Sequence, residues 1–249
     1  MFGQYKVSPA EENLNLGCGQ PGNEYIQKAW ELFNENSIID DAYYEVMQYG
    51  KKDGHDIFKN AIISTYFSCC PSVKSEHIFM TGGVSQGIQM ITGLFRNQET
   101  TNQLTTNQLT TNQLTTNQPM TIYVEELTYF IMLNHFRDYN LTIRTFNLNN
   151  LDEFKAQLDR SGGEMIMVYL IPFCSNPTGK TITKEQLEEF LSIVHKNNLM
   201  VLSDETYYSM QHAENKIEPL YLNSPKIISF LTFSKIFAPG VRTGWLQTL

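Results

Sequence analysis

Apolar positions along this chain follow two alternating patterns. Leu187, Phe190, Leu191 and Val194 recur at i, i+3, i+4 and i+7, and Leu151, Phe154 and Leu158 form a shorter stripe with the same period. Both predict amphipathic helices. Among them lie continuous apolar runs at Ile78-Phe79-Met80, Ile122-Tyr123-Val124, Met165 to Ile171, Leu199 to Leu202 and Ile227 to Leu231. Runs that do not alternate, bracketed by helices, predict buried strands of a mostly parallel sheet with helices on both faces, which is an α/β fold.

One stretch breaks this pattern. Thr100 to Gln118 repeats Thr-Thr-Asn-Gln with leucine spacers. It is too polar to bury a core and its period is too short for a structural repeat, so a disordered low-complexity insertion is expected over 99–119, between a helix and a strand. The whole chain, 249 residues with 41% hydrophobic and 18% charged content, has the size and composition of a soluble globular protein. A formal net charge of −8 without a lysine or arginine run argues against nucleic acid or an anionic membrane as partner. No apolar stretch reaches 18 residues and the first residues lack a secretory profile, so a cytoplasmic location is expected. Cys18, Cys69, Cys70 and Cys174 show neither a C-x-x-C pair nor metal-ligand spacing with the histidines, which predicts reduced thiols and no metal.

Ligands in open α/β sheets bind beyond the carboxyl ends of the strands, and the residues after each apolar run are rich in chemistry. Thr81-Gly82-Gly83-Val84-Ser85 follows the first run and opens a helix, where backbone amides and the helix dipole favour an anion. Glu125 and Tyr129 follow the second run, Asn176-Pro177-Thr178-Gly179 the third, Asp204, Glu205 and Tyr207 the fourth. The last run leads into Thr232, Ser234 and Lys235, then a Pro-Gly turn and Arg242.

A lysine amine attacks a carbonyl only when neutral. Hydroxyls and an arginine beside it are the donors expected around a phosphate. Together they suggest a Schiff-base lysine next to a phosphate site, as pyridoxal phosphate requires. Each group alone has a plainer reading: Lys235 as a surface charge, Asp204 as a helix cap, Asn-Pro-Thr-Gly as a turn, Tyr129 as core. Placement at neighbouring strand ends joins them. Asp204 would pair with the pyridinium nitrogen, Asn176 and Tyr207 would donate to the phenolate oxygen, Tyr129 would stack on the ring, and Val84 and Ser85 would hold the phosphate.

On these residues the chain resembles the class I/II aminotransferases of the fold-type I pyridoxal-phosphate enzymes, from Leu14 to Trp245. Leu14-Asn15-Leu16-Gly17-Cys18-Gly19-Gln20-Pro21-Gly22 is similar to the family's N-terminal substrate-side segment, and Gln48-Tyr49-Gly50 to its Tyr-Gly motif. Glu125 to Tyr129, Asn176 to Gly179, Asp204 to Tyr207 and the Lys235 segment follow in family order. Leu127 stands where the family usually has proline, and Val84-Ser85 is an unusual phosphate loop.

The resemblance implies that Lys235 carries the cofactor and shuttles a proton, with Val84, Ser85, Thr232, Ser234 and Arg242 around the phosphate. It implies a homodimer in which Tyr49 reaches the phosphate of the other subunit's cofactor, and amino acid and 2-oxo acid as substrates. Residues 1–48 then form an N-terminal arm and 49–249 a cofactor-binding large domain. A small C-terminal domain, carrying the arginine that grips the substrate carboxylate, is expected to be missing after Leu249. Two readings follow: an aminotransferase, or a catalytically silent remnant that binds cofactor or a partner subunit. Regulator-type relatives with a DNA-binding arm are disfavoured by the acidic charge and by the lack of a helix-turn-helix ahead of the domain.

Overall fold

The computed structural model of the chain describes residues 21–35, 49–68, 70–104, 120–161, 165–212 and 216–249. Seven strands form one sheet: β1 (Ile78–Thr81), β2 (Thr121–Glu125), β3 (Thr142–Phe146), β4 (Ile166–Leu170), β5 (Met200–Asp204), β6 (Ile227–Thr232) and β7 (Gly244–Gln247). Their order is β1-β7-β6-β5-β4-β2-β3. β7 runs antiparallel to both β1 and β6, and the β6-β5-β4-β2-β3 neighbours are all parallel. The mostly parallel α/β fold is therefore present. Each expected apolar run forms a strand.

Among the described residues, six α-helices accompany the sheet: α1 (Asn23–Glu35), α2 (Asp56–Tyr66), α3 (Val84–Leu104), α4 (Phe130–Asp138), α5 (Leu151–Asp159) and α6 (Lys184–Lys196). The two stripes expected to be helical are α5 and α6. Leu151, Phe154 and Leu158 are all buried in α5, and Leu187, Phe190, Ile193 and Val194 in α6. Thr183 caps α6 by accepting from the Gln186 amide at 3.2 Å, while the Gln186 side chain accepts from the Thr183 amide at 3.0 Å. This reciprocal pair satisfies two otherwise orphaned donors. α3 continues to Leu104, so the helix extends into the Thr-Asn-Gln tract, of which 105–119 lie outside the described residues.

Alternate strand residues face two separate cores. Along β4, Ile166, Val168 and Leu170 pack with α5 and α6, whereas Met167, Tyr169 and the following Ile171 pack with residues of α3 and α4. β6 divides in the same way, Ile227 and Leu231 to one side, Ile228 and Phe230 to the other. The result is a three-layer sandwich whose central strands are buried on both faces, the reason their sequences do not alternate. At the edge, β3 keeps Thr142, Arg144 and Thr145 exposed. No described helix is long and apolar enough to cross a membrane. Cys70 is buried, its Sγ 3.9 Å from the Tyr208 hydroxyl, and Cys174 is partly buried.

Candidate active site

The carboxyl ends of β1, β2, β4, β5 and β6 share one edge of the sheet with the beginning of β7, because β7 is reversed. The register makes this explicit: Gly244 lies between Thr81 and Thr232. At this edge a cavity of about 270 Å³ is lined by Val84, Ser85, Tyr129, Asn176, Asp204, Tyr207, Thr232, Ser234, Lys235 and Arg242. Every site residue expected from the sequence lines it except Tyr49, which stands fully exposed on the surface. Tyr129 occupies the N-cap position of α4 although Leu127, rather than proline, precedes it, and Leu127 itself is exposed.

Close backbone approach shapes the β1–β6–β7 corner. A Cβ at Gly244 would lie 2.5 Å from the Leu231 carbonyl oxygen and 2.8 Å from Gly83 Cα, so no side chain fits there. Gly83 has φ +108°, and a Cβ on it would come within 3.2 Å of the Arg242 guanidinium. Arg242 itself is left-handed, at φ 50° and ψ 46°, a conformation that costs a non-glycine residue about 1 kcal/mol or more. Its guanidinium donates to the Pro239 carbonyl at 2.9 Å and to the Gly82 carbonyl at 3.3 Å, which ties the start of β7 to the loop that opens α3. Between them the Thr232 hydroxyl donates to the Thr243 carbonyl at 3.1 Å and accepts from the Ser234 amide at 3.1 Å, with the Ser234 hydroxyl 2.9 Å away. Helix N-terminus, two hydroxyls and a guanidinium thus surround one end of the cavity.

The other end is acidic. Asp204, only 6% exposed, accepts from the Tyr169 hydroxyl at 2.8 Å, from the Thr206 hydroxyl at 2.6 Å and from the Thr206 amide at 3.1 Å. Burial pushes its carboxyl above the ordinary range; those hydrogen bonds, and the charge of Lys235, pull it back down. The Tyr169 hydroxyl is driven well above its ordinary value by burial and by the neighbouring Asp204 charge. The half-buried Lys235 reaches over Tyr207, its Nζ 6.0 Å from the ring centroid.

Tyr169 and Thr206 hold the Asp204 carboxylate in place, and the sequence pattern does not single them out. Tyr169 sits inside an otherwise apolar run, and its only signal is being the one side chain there with a hydroxyl to place. Glu125 and Glu205, noted at strand ends, do not line this cavity. Glu125 opens into a neighbouring one. Glu205, next to Asp204 in sequence, faces the opposite side of the sheet, where it accepts from the Leu220 amide at 3.0 Å and from the Ser203 and Ser229 hydroxyls.

Comparison with known proteins bears on the fold and the family. An aromatic-amino-acid aminotransferase from Thermococcus litoralis is 28% identical over 253 residues, covering 97% of this chain and 55% of that protein. The transcriptional regulator NorG of Staphylococcus aureus is 22% identical over 248 residues, 97% of this chain and 50% of its own length. Among solved structures, the α-aminoadipate aminotransferase LysN of Thermus thermophilus, complexed with N-(5'-phosphopyridoxyl)-L-leucine, has the same fold. It superposes with a TM-score of 0.68 at 20% identity, over 93% of this chain and 55% of its own. An archaeal alanine:glyoxylate aminotransferase gives 0.69 at 19% identity, over 93% and 55%. The chain thus spans about half the length of the curated relatives it matches. The family model for class I and II aminotransferases matches residues 11–248, and the chain belongs to that family.

Proposed function

We propose that this chain is the cofactor-binding part of a pyridoxal-phosphate-dependent aminotransferase that moves an amino group from an amino acid to a 2-oxo acid. The observation that carries the proposal is the convergence of Lys235, Asp204 and the Ser85–Thr232–Ser234–Arg242 donors on one cavity. The donor set fits the cofactor: a guanidinium, hydroxyls and a helix N-terminus for a phosphate at one end, and a buried carboxylate for a ring nitrogen at the other. When bound, pyridoxal phosphate supplies an electron sink for the negative charge that develops at the substrate α-carbon.

The chain's own residues then have separable tasks. Lys235 Nζ would hold the cofactor and would carry the proton taken from the substrate α-carbon. Asp204, kept in place by Tyr169 and Thr206, presents its charge to the ring nitrogen, and its burial strengthens that interaction. Asn176 and Tyr207 donate to the ring oxygen, and Tyr129 covers one ring face. Val84 and Ser85 at the start of α3 bind phosphate together with Thr232, Ser234 and Arg242. Tyr49, exposed on the surface, is assigned to the cofactor phosphate of a second copy in a homodimer. Residues 49–249 form the unit that holds the cofactor, and 1–48 the arm.

The second reading is a silent chain that only binds cofactor or a partner. One experiment separates the two. The full chain mixed with pyridoxal phosphate should develop the visible absorbance of lysine-bound cofactor, and Lys235→Ala should abolish it. Amino acids should then yield their 2-oxo acids in amounts matching the bound cofactor. Absorbance without any oxo acid selects the silent reading; absorbance that persists in Lys235→Ala overturns the site.

A further inference from the structure

Beside the cofactor cavity lies a second, larger one of about 370 Å³. It opens at the carboxyl ends of β2, β3 and β4 and is closed by the 172–183 loop and the first turn of α6. Ile171 lines both cavities, while the consecutive residues Ser175 and Asn176 line one each. The two spaces therefore stand back to back across a single loop.

Most polar groups of the second cavity are already occupied. The Asn147 amide donates to Glu126 at 2.9 Å, and the Gln186 amide donates to the Asn149 side chain at 3.1 Å. Two groups differ. The Ser175 hydroxyl is buried, with 4% of the residue exposed, and has no hydrogen-bond partner. A buried polar atom of that kind is costly unless something fills the space. Glu125 is partly buried at the end of β2, and Lys180 provides the one cation among the charged groups lining the cavity, which are Glu125, Glu126 and Lys180. Burial raises the Glu125 carboxyl to about 7, with the Lys180 charge acting in the opposite direction. The floor is apolar, built from Phe146, Leu148, Ile171 and Ile182.

We infer that this cavity is a second binding site, for a zwitterionic α-amino acid with an apolar side chain. Its ammonium meets Glu125 and the Ser175 hydroxyl, its carboxylate meets Lys180, and its side chain rests on the Phe146–Ile182 floor. A ligand carrying both charges matches the pairing of a recessed acid with an exposed lysine. An anion would meet Glu125 and Glu126, and a simple cation would meet Lys180. A purely apolar ligand would leave the Ser175 hydroxyl unpartnered.

The test is calorimetric titration of the full chain with N,N-dimethyl-L-phenylalanine. This probe keeps an ammonium N–H, a carboxylate and an apolar side chain, but its tertiary amine cannot condense with a carbonyl, so reaction at Lys235 does not enter. Saturable binding is expected, weakened at least tenfold by Glu125→Gln and by Lys180→Met. Because Glu125 must be ionised to receive the ammonium, affinity should fall about tenfold per pH unit below 7, a dependence that Glu125→Gln removes. Lys180 is exposed, so its replacement leaves the fold intact and keeps the test sharp should Glu125→Gln disturb β2. Absence of saturable binding, or binding unchanged in both variants, overturns the inference. Lysine-bound cofactor absorbance reports separately on the first cavity, so the two readings fail independently.

Discussion

Replacing Glu205 by glutamine isolates what a buried acid costs this fold. Glu205 is 1% exposed, and one of its oxygens is fully engaged while the other, Oε2, has no partner. Burial raises its carboxyl from an ordinary 4.5 to about 7. Between those two values the folded chain binds a proton that the unfolded chain does not. The contribution of this one group to stability is therefore greatest below pH 4.5, falls as pH rises through the window, and is level above 7. Keeping the group ionised in the fold at pH 8 costs about 3 kcal/mol on this basis. Glutamine is neutral throughout and retains an acceptor oxygen for the Leu220 amide and the two serine hydroxyls. Urea unfolding followed by tryptophan fluorescence, with Trp245 buried in the core, gives the stability of both proteins across pH. Relative to wild type, Glu205→Gln should gain about 2–3 kcal/mol between pH 5 and 8. A constant offset from an unpartnered amide N–H can be superposed on this gain. The slope is diagnostic, and a wild-type-minus-variant difference that stays flat over the window refutes the reasoning. Glu125, raised for the same cause, leaves part of the pH dependence in place in the variant.

Two further outcomes are expected from the active-site geometry. Gly244→Ala would place a methyl 2.5 Å from one backbone atom and 2.8 Å from another. It should cost about 1–3 kcal/mol in thermal unfolding and eliminate lysine-bound cofactor absorbance, because Gly83, Thr232 and Arg242 must move apart. Tyr169→Phe removes one of the hydrogen bonds to the buried Asp204 carboxylate. It should lower stability at pH 7 by about 1.5–3 kcal/mol and weaken cofactor binding in equilibrium dialysis, while a variant that binds as tightly as wild type would remove Tyr169 from any positioning role.

The parts of the fold that are legible in the sequence are those with one dominant physical cause. β4, β5 and β6 are buried on both faces and so read as unbroken apolar runs, and α5 and α6 each bury one stripe. β3 is not legible because it is an edge strand with exposed Thr142 and Arg144, and its sequence is polar where the sheet meets solvent. The site is legible through strand ends, since each apolar run delivers its next few residues to the carboxyl edge of the sheet. That logic places Asp204 but cannot separate it from Glu205. Consecutive residues leave a strand on opposite faces, and only the packing of α3 and α4 on one side, with α5 and α6 on the other, decides which acid reaches the cavity. Tyr169 escapes for a related reason: within β4 it looks like one more buried apolar residue until Asp204 is placed across the sheet from it.

The reversal of β7 explains why one short segment can supply both Lys235 and Arg242. A parallel strand after β6 would need a crossover of a dozen or more residues, ending at the far edge of the sheet. An antiparallel one starts where β6 stops. Residues 233–243 therefore never leave that edge of the sheet, and the lysine and the guanidinium remain beside the same cavity. The reversed strand must also wedge between β1 and β6, the position where the α3 loop comes closest. That wedge forces glycine at 244 and brings Gly83 against Arg242. The glycines that flank the lysine segment in space are thus a consequence of strand direction, and the corner that joins Thr232, Ser234 and Arg242 is assembled by the same reversal that places β7 between β1 and β6.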